Sequence, residues 1–373
     1  MRPIRVVLFV LIPVWSWADD VVVEVHQEQG TEQIEYRLGT VVGDSIAWET
    51  SRSYDRGRTP SVDVGGDVVV EVHQSHDETE LWYHVGVITE SKRILWGESQ
   101  HYDRGRFPMV VLDDDLVVEV HQGHEANDLW YHVGVVDLES RLVQWGKSHQ
   151  YDIGRFPTVS LDGDVVVEVH QAIEDDVLWY HVGIVDREKQ EIDWGKSRSY
   201  DEGRWPSIDL SGDVVVEVHQ SHVETNLWYH VGLVDTVQKG IHWSDSQRYD
   251  SGRFPIVALQ NETVIEVHQA HTGDALWYHT GTVSVPDAAV VWSESRSYGK
   301  GTVPHVALFV QSIFRPADFD GNGVVDFADF LMFARGFGFV QSDADYDARF
   351  DLDQSGRVDF VDFLNFVNAF EGG

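Results

Sequence analysis

Glutamate and histidine stand two residues apart in Glu71-Val-His73-Gln74, and a second histidine closes Leu81-Trp82-Tyr83-His84 shortly after. A carboxylate and two imidazoles on adjoining strands have the ligand chemistry of a zinc site. Near the C-terminus the chemistry is that of a harder cation. In Asp318-Phe-Asp320-Gly-Asn322-Gly-Val324-Val-Asp326-Phe-Ala-Asp329 and Asp351-Leu-Asp353-Gln-Ser355-Gly-Arg357-Val-Asp359-Phe-Val-Asp362, oxygen side chains fall at loop positions 1, 3, 5, 9 and 12. Glycine stands at position 6, and the main-chain carbonyl of Val324 or Arg357 is expected at position 7, which is the arrangement Ca²⁺ requires. Two ions are therefore expected. Aspartate at position 12 is one methylene shorter than glutamate and must be brought closer to bind through both oxygens.

The first group of residues is repeated. The Val-Val-Val-Glu-Val-His-Gln run begins at Val21, Val68, Leu116, Val165, Val214 and Thr263, six copies at steps of 47 to 49 residues. Each copy holds four short stretches rich in Val, Ile, Trp and Tyr, separated by Gly, Asp, Asn and Pro, which read as strands and turns. A period near 49 with four strands per copy predicts a mainly β chain, a six-bladed β-propeller of four-stranded blades. The chain enters midway through a unit, at Asp20. The strand missing there returns at the far end as Pro304-His-Val-Ala-Leu308, which predicts Velcro-type closure of the ring.

Composition excludes several functions. The 373 residues carry a net charge of −36, which opposes binding to nucleic acid or to anionic membranes. Cysteine is absent, so neither disulfides nor thiolate metal sites are available. Arg2 and Arg5, the apolar run Val6 to Val14 and Ser16-Trp-Ala18 read as a secretory signal peptide, too short to span a bilayer. The expected organisation is 1–18 signal peptide, 19–312 propeller and 313–373 a small α-helical calcium-loop tail, on a chain that is secreted to the extracellular space or the cell surface.

Residues that never vary among the copies read as architecture. They include the Glu and His of Glu-x-His-Gln, Trp48, Trp96, Trp145, Trp194, Trp243 and Trp292, and Tyr54, Tyr102, Tyr151, Tyr200, Tyr249 and Tyr298. An unpaired carboxylate on an internal strand is costly, so each Glu is expected to be hydrogen-bonded to His, Tyr or Arg, and this network is preferred to six zinc ions.

A second set varies together. Asp55/Arg58, Asp103/Arg106, Asp152/Arg155, Asp201/Arg204 and Asp250/Arg253 become Gly299 and Thr302 after the sixth copy. Trp82/His84, Trp130/His132, Trp179/His181, Trp228/His230 and Trp277/His279 are Glu35 and Arg37 in the first. Ring closure places both losses at one junction. The four residues are therefore expected to form one unit, either a structural staple or a sugar site in which Arg meets hydroxyls and Trp an apolar ring face. Five such sites would give avidity on a glycan or surface polysaccharide.

The tail resembles a dockerin, the duplicated calcium-loop module of secreted polysaccharide-degrading assemblies. The resemblance implies a cohesin-like protein partner contacting Phe327-Ala328 and Phe360-Val361. The propeller loosely resembles six-bladed sugar-binding lectins through Pro60-Ser-Val-Asp-Val, Val68-Val-Val-Glu-Val, Leu81-Trp-Tyr-His and Trp96-Gly-Glu-Ser. Candidate carboxylates are nearly all repeated, whereas glycoside hydrolases and lyases use an asymmetric set. The expectation is thus a non-catalytic carbohydrate-binding protein. The alternatives are a protein–protein interaction platform on the cell surface and a polysaccharide-degrading enzyme.

Overall fold

The computed structural model describes residues 20–309 apart from 77, 78 and 90, together with 317, 319, 325, 327–341, 343, 346–352 and 355–370. The expected signal peptide and the calcium-loop residues Asp318, Asp320, Asn322, Val324, Asp326 and Asp353 lie outside the described residues. The chain divides into two compact units, one of them residues 19–310 and the other holding the C-terminal segment from 311.

The larger unit is a β-propeller. In the fourth copy Arg155–Asp162, Val165–Gln171, Val177–Asp186 and Glu191–Trp194 pair in that order, each antiparallel to the last. Hairpin turns form where Gly66, Asp114, Gly163, Gly212 and Asn261 take left-handed φ near +60°, which glycine, aspartate and asparagine tolerate best. The Val-rich second strand is buried on both faces, as a run without polar alternation requires.

Two expectations are corrected. Blades are five-stranded, because the outer strand breaks and Arg198–Glu202 continues it along the first half of Val177–Asp186. The chain does not form six separate blades either. Four separate five-stranded blades form, and the second and third copies share one nine-stranded sheet. In that sheet Gln100–Asp113 runs unbroken through Gly105 and pairs on both sides, whereas Gly57 and Gly154 interrupt the equivalent strands.

Closure is by the terminal strands, Val21–Gln27 pairing with Thr302–Phe309. The six inner strands Arg58–Gly65, Gln100–Asp113, Arg155–Asp162, Arg204–Ser211, Arg253–Gln260 and Thr302–Phe309 touch in sequence, and the last touches the first around a central channel. Tyrosines bind neighbouring copies together, since the hydroxyls of Tyr83, Tyr131, Tyr180, Tyr229 and Tyr278 accept from the backbone N–H of Val143, Ile192, Ile241, Val290 and Ile46. Apolar clusters also straddle adjacent copies, as where Val22 and Ile46 pack with Ile265, Val267 and Leu308.

In the C-terminal unit, helices Phe327–Gly336 and Phe360–Ala369 pack around Phe319, Phe333, Phe350 and Phe366. Asp359 caps the second helix through a reciprocal box with Asp362. Among the described residues no helix is long and apolar enough to cross a membrane.

Candidate functional site at the junctions and the channel

Each Glu of the Val-rich strand is fully buried and paired. His73 Nδ1 lies 3.1 Å from Glu71, and the same bond recurs at His121–Glu119, His170–Glu168, His219–Glu217, His268–Glu266 and His26–Glu24. A linker tyrosine donates to the carboxylate as well: Tyr102 to Glu119, Tyr151 to Glu168, Tyr200 to Glu217, Tyr249 to Glu266 and Tyr298 to Glu24, at 2.8–3.0 Å. These tyrosines stack on the invariant tryptophans, with ring centroids 4.9 Å apart for Tyr54–Trp96 and 5.3 Å for Tyr102–Trp145. The network expected around each buried Glu is present.

The linker Asp and the blade His do meet. His84, His132, His181, His230 and His279 place Nε2 2.7–2.8 Å from Asp55, Asp103, Asp152, Asp201 and Asp250. Their Nδ1 atoms face main-chain carbonyls in the break of the outer strand, Gly97, Gly146, Gly195, Ser244 and Ser293. Burial acts to raise the aspartate pKa values and is the largest single influence, but the hydrogen bond from histidine, the backbone N–H that each accepts and the neighbouring imidazoles together outweigh it and bring Asp55, Asp152, Asp201 and Asp250 down to about 2. Burial acts to lower the histidines, yet the aspartate bond and the buried glutamate charge raise them. The strand histidine joins from the side, His73 Nε2 standing 3.8 Å from Asp55. The linker glycine permits this approach: a Cβ on Gly105 would meet the His121 ring at 2.5 Å.

Four of the five arginines belong to another contact. Arg106 donates to the carbonyls of Gly123 and Ala126, Arg155 to that of Ala172, Arg253 to those of Ala270 and Gly273, and Arg204 to the Asp176 carboxylate. They hold the hairpin loop that follows the Val-rich strand. At the fifth junction Asp250, His268, His271, Thr272, Trp277 and Ser295 line a cleft of about 360 Å³, and Arg253 is not among its lining residues. The single Asp/Arg/Trp/His unit is thus divided in two.

The sixth junction shows why two distant pairs change together. Arg37 Nε lies 3.1 Å from Glu24, and Nη1 donates to the Tyr298 carbonyl at 2.7 Å. A Cβ at Gly299 would meet that guanidinium at 2.8 Å, so an aspartate cannot stand there beside Arg37 as placed. Glu35 supplies the missing carboxylate, 3.5 Å from His26 Nε2. Arg37→His and Gly299→Asp are each expected to destabilise, whereas the double variant rebuilds the Asp–His pair. A favourable coupling of about 1 kcal/mol or more in a denaturant double-mutant cycle would show it; strictly additive losses would refute the contact.

The sequence reading missed the channel. Thr59, Phe107, Phe156, Trp205, Phe254 and Val303, each before a proline, take φ of +45 to +54° and line an apolar mouth of about 60 Å³. Left-handed φ on non-glycine residues is strained, and it occurs at a bulge in the inner strand. Further in, Asp63, Thr158, Ser207, Asp209 and His305 face a second small cavity. These side chains stitch neighbouring inner strands: Asp63 accepts from Leu112 N, Asp209 from Leu259 N, Ser61 from Val110 N and Ser207 from Val257 N. Thr158 Oγ1 has no partner among the described residues. Burial, reinforced by Asp209, pushes Asp63 up to about 8; burial, with a smaller contribution from the Asp162 charge, takes Asp209 to about 6, and burial takes His305 down to about 3. The available signal was that only two of the six copies carry an aspartate at this position, Asp63 and Asp209, while the others have Val111, Ser160, Ala258 and Ala307 there.

In the tail, Asp351 accepts from Ser355 N and Gly356 N at 3.0 and 2.7 Å, and Asp362 accepts from Asp359 N. Asp329 accepts from Phe319 N at 2.6 Å. These carboxylates fold the loops back on themselves, and Asp329 and Asp362 are fully buried.

No protein-family model matches the chain, and no curated protein matches its sequence. Among solved structures it is similar to a putative 6-phosphogluconolactonase from Bacteroides uniformis, with 11% identity and a TM-score of 0.50 over 76% of this chain and 85% of that one. A second, from Bacteroides fragilis, has 10% identity and a TM-score of 0.48 over 78% and 98%. The GH43_1 enzyme from Xanthomonas citri complexed with xylose has 11% identity and a TM-score of 0.42 over 62% and 89%. At such identities the likeness establishes the propeller fold alone.

Proposed function

We infer that the expectation of a non-enzyme is to be withdrawn, since a propeller this chain is similar to is named a putative 6-phosphogluconolactonase. We propose that the chain is a secreted carbohydrate-binding propeller of six blades, the nine-stranded sheet counting as two, with repeated sites at its junctions. The observation that carries this reading is the cleft at the fifth junction. Its about 360 Å³ falls in the range of small-ligand sites, about 300–1,000 Å³. The Trp277 indole offers a flat apolar face, and Asp250, His271, Thr272 and Ser295 supply hydroxyl partners around it. Trp82, Trp130, Trp179 and Trp228 hold the same place in the other copies, while the arginines shape the loop beside them. Five weak sites on one ring favour a polymeric glycan.

The tail is proposed to bind two Ca²⁺ ions through its acidic loops and to attach the chain to a cohesin-like receptor. Binding of the full chain on a glycan array tests the main reading. Concentration-dependent capture on a defined glycan class is expected; silence across the array removes it and leaves a protein-docking platform.

A second reading, an enzyme acting on polysaccharide, is favoured by Asp63 and Asp209, carboxylates found in only two of the six copies, whose pKa values are raised to different extents. Release of reducing ends that disappears in Asp63→Ser would support it.

A further inference from the structure

Three ligand atoms converge at the junctions in an arrangement that hydrogen bonding of the Glu does not by itself require. Asp55 Oδ2 is 2.8 Å from His84 Nε2 and 3.8 Å from His73 Nε2. The same trio recurs at Asp103/His121/His132, Asp152/His170/His181, Asp201/His219/His230 and Asp250/His268/His279. In four of these five trios the candidate ligand atoms all lie within 4.8 Å of one another.

The opposite nitrogen of each ring is already engaged. His73 Nδ1 faces the Glu71 carboxylate, and His84 Nδ1 faces the Gly97 carbonyl. With the Nδ1 protons directed to those acceptors, both Nε2 lone pairs turn towards the aspartate. Carboxylate and carbonyl partners of this kind orient imidazoles that bind metals and fix their tautomer. Two neutral imidazoles and one carboxylate form a set for a borderline divalent ion, and three protein ligands leave a coordination position open. At the fifth junction Asp250 and His268 line the cleft, so that position opens onto it.

Charge and the odd junction support the same conclusion. Glu71 is fully buried and Asp55 half-buried, so each junction confines two carboxylates that a dication would neutralise. At the sixth junction the aspartate is Gly299 and the second histidine is Arg37, whose guanidinium bonds Glu24. A permanent cation stands where the ion would sit, and both ligands are lost together.

We propose that the five Asp–His–His trios are binding sites for a divalent transition-metal ion of the zinc class. The competing state is an imidazolium paired with the aspartate and no metal. The test uses the untagged full chain, stripped with chelator, with excess Ca²⁺ present to occupy the tail. Titration with Co²⁺, followed by visible absorption, and with Zn²⁺, followed by calorimetry, is expected to saturate near five equivalents. Asp250→Asn, nearly isosteric, should lower this to four, and Zn²⁺ should raise the Tm in a concentration-dependent manner. Absence of Co²⁺ absorption bands together with uptake below one Zn²⁺ per chain overturns the proposal, as does a count unchanged in Asp250→Asn. Should that variant fail to fold, the wild-type count decides alone.

Discussion

Glu119→Ala is expected to destabilise the propeller by about 3–5 kcal/mol, the cost of leaving partners of a buried charge uncompensated. The Glu119 side chain is fully buried, and it accepts from Tyr102 at 2.9 Å and from His121 at 3.0 Å. Without it the Tyr102 hydroxyl, stacked under Trp145, loses its acceptor, and the ring of His121 loses the bond that aims it at Asp103. Because Tyr102 and Glu119 belong to successive copies, the effect reaches the whole ring. Urea unfolding measures it, and a loss below about 1 kcal/mol would mean that the network contributes no more than an ordinary hydrogen bond.

The second large effect is one of pH. Asp63 is raised to about 8 by burial and by Asp209, and Asp209 to about 6 by burial. An acid whose folded pKa exceeds its unfolded value of about 3.9 binds its proton more tightly when folded. Its contribution to stability is therefore complete below about pH 4 and is lost as pH rises through 6 and then 8. Asp63→Ser places at this position the residue that Ser160 already supplies, where Ser160 Oγ accepts from Leu210 N of the next inner strand. The stitch to Leu112 is kept and the charge removed. The variant should match wild type near pH 5, exceed it clearly at pH 8, and show a flattened profile between pH 6 and 8. Parallel profiles for the two proteins would contradict the buried-acid account.

What was legible in the sequence follows from what repetition and period encode. Glu71 and His73 lie two apart on a strand, so they share a face, and the apolar run around them fixes that strand inside; pairing of the carboxylate followed from its desolvation cost. Joint loss of the Asp/Arg and Trp/His pairs, together with ring closure, assigned Gly299 and Arg37 to one junction. The destination of Arg106 was not legible, because its acceptors are the main-chain carbonyls of Gly123 and Ala126 in the hairpin loop after Gln122, and spacing does not single out main-chain acceptors. Nor was the aromatic mouth, since Phe107 and Trp205 reach the axis only by a left-handed φ at a bulge, and nothing in Phe-Pro or Trp-Pro specifies its sign. Separation of blades rests on whether one linker glycine interrupts a strand: Gly57 does and Gly105 does not. Asp63 and Asp209 sit three copies apart and come to face one cavity only once the circle of inner strands is closed.

The most direct test of the carbohydrate reading is a calorimetric titration of the full chain with the monosaccharide unit of its best glycan. Close to five sites per chain are expected, falling to four in Trp277→Ala with the remaining affinity unchanged. No binding, or a site count that Trp277→Ala leaves intact, would contradict the assignment of the junction clefts.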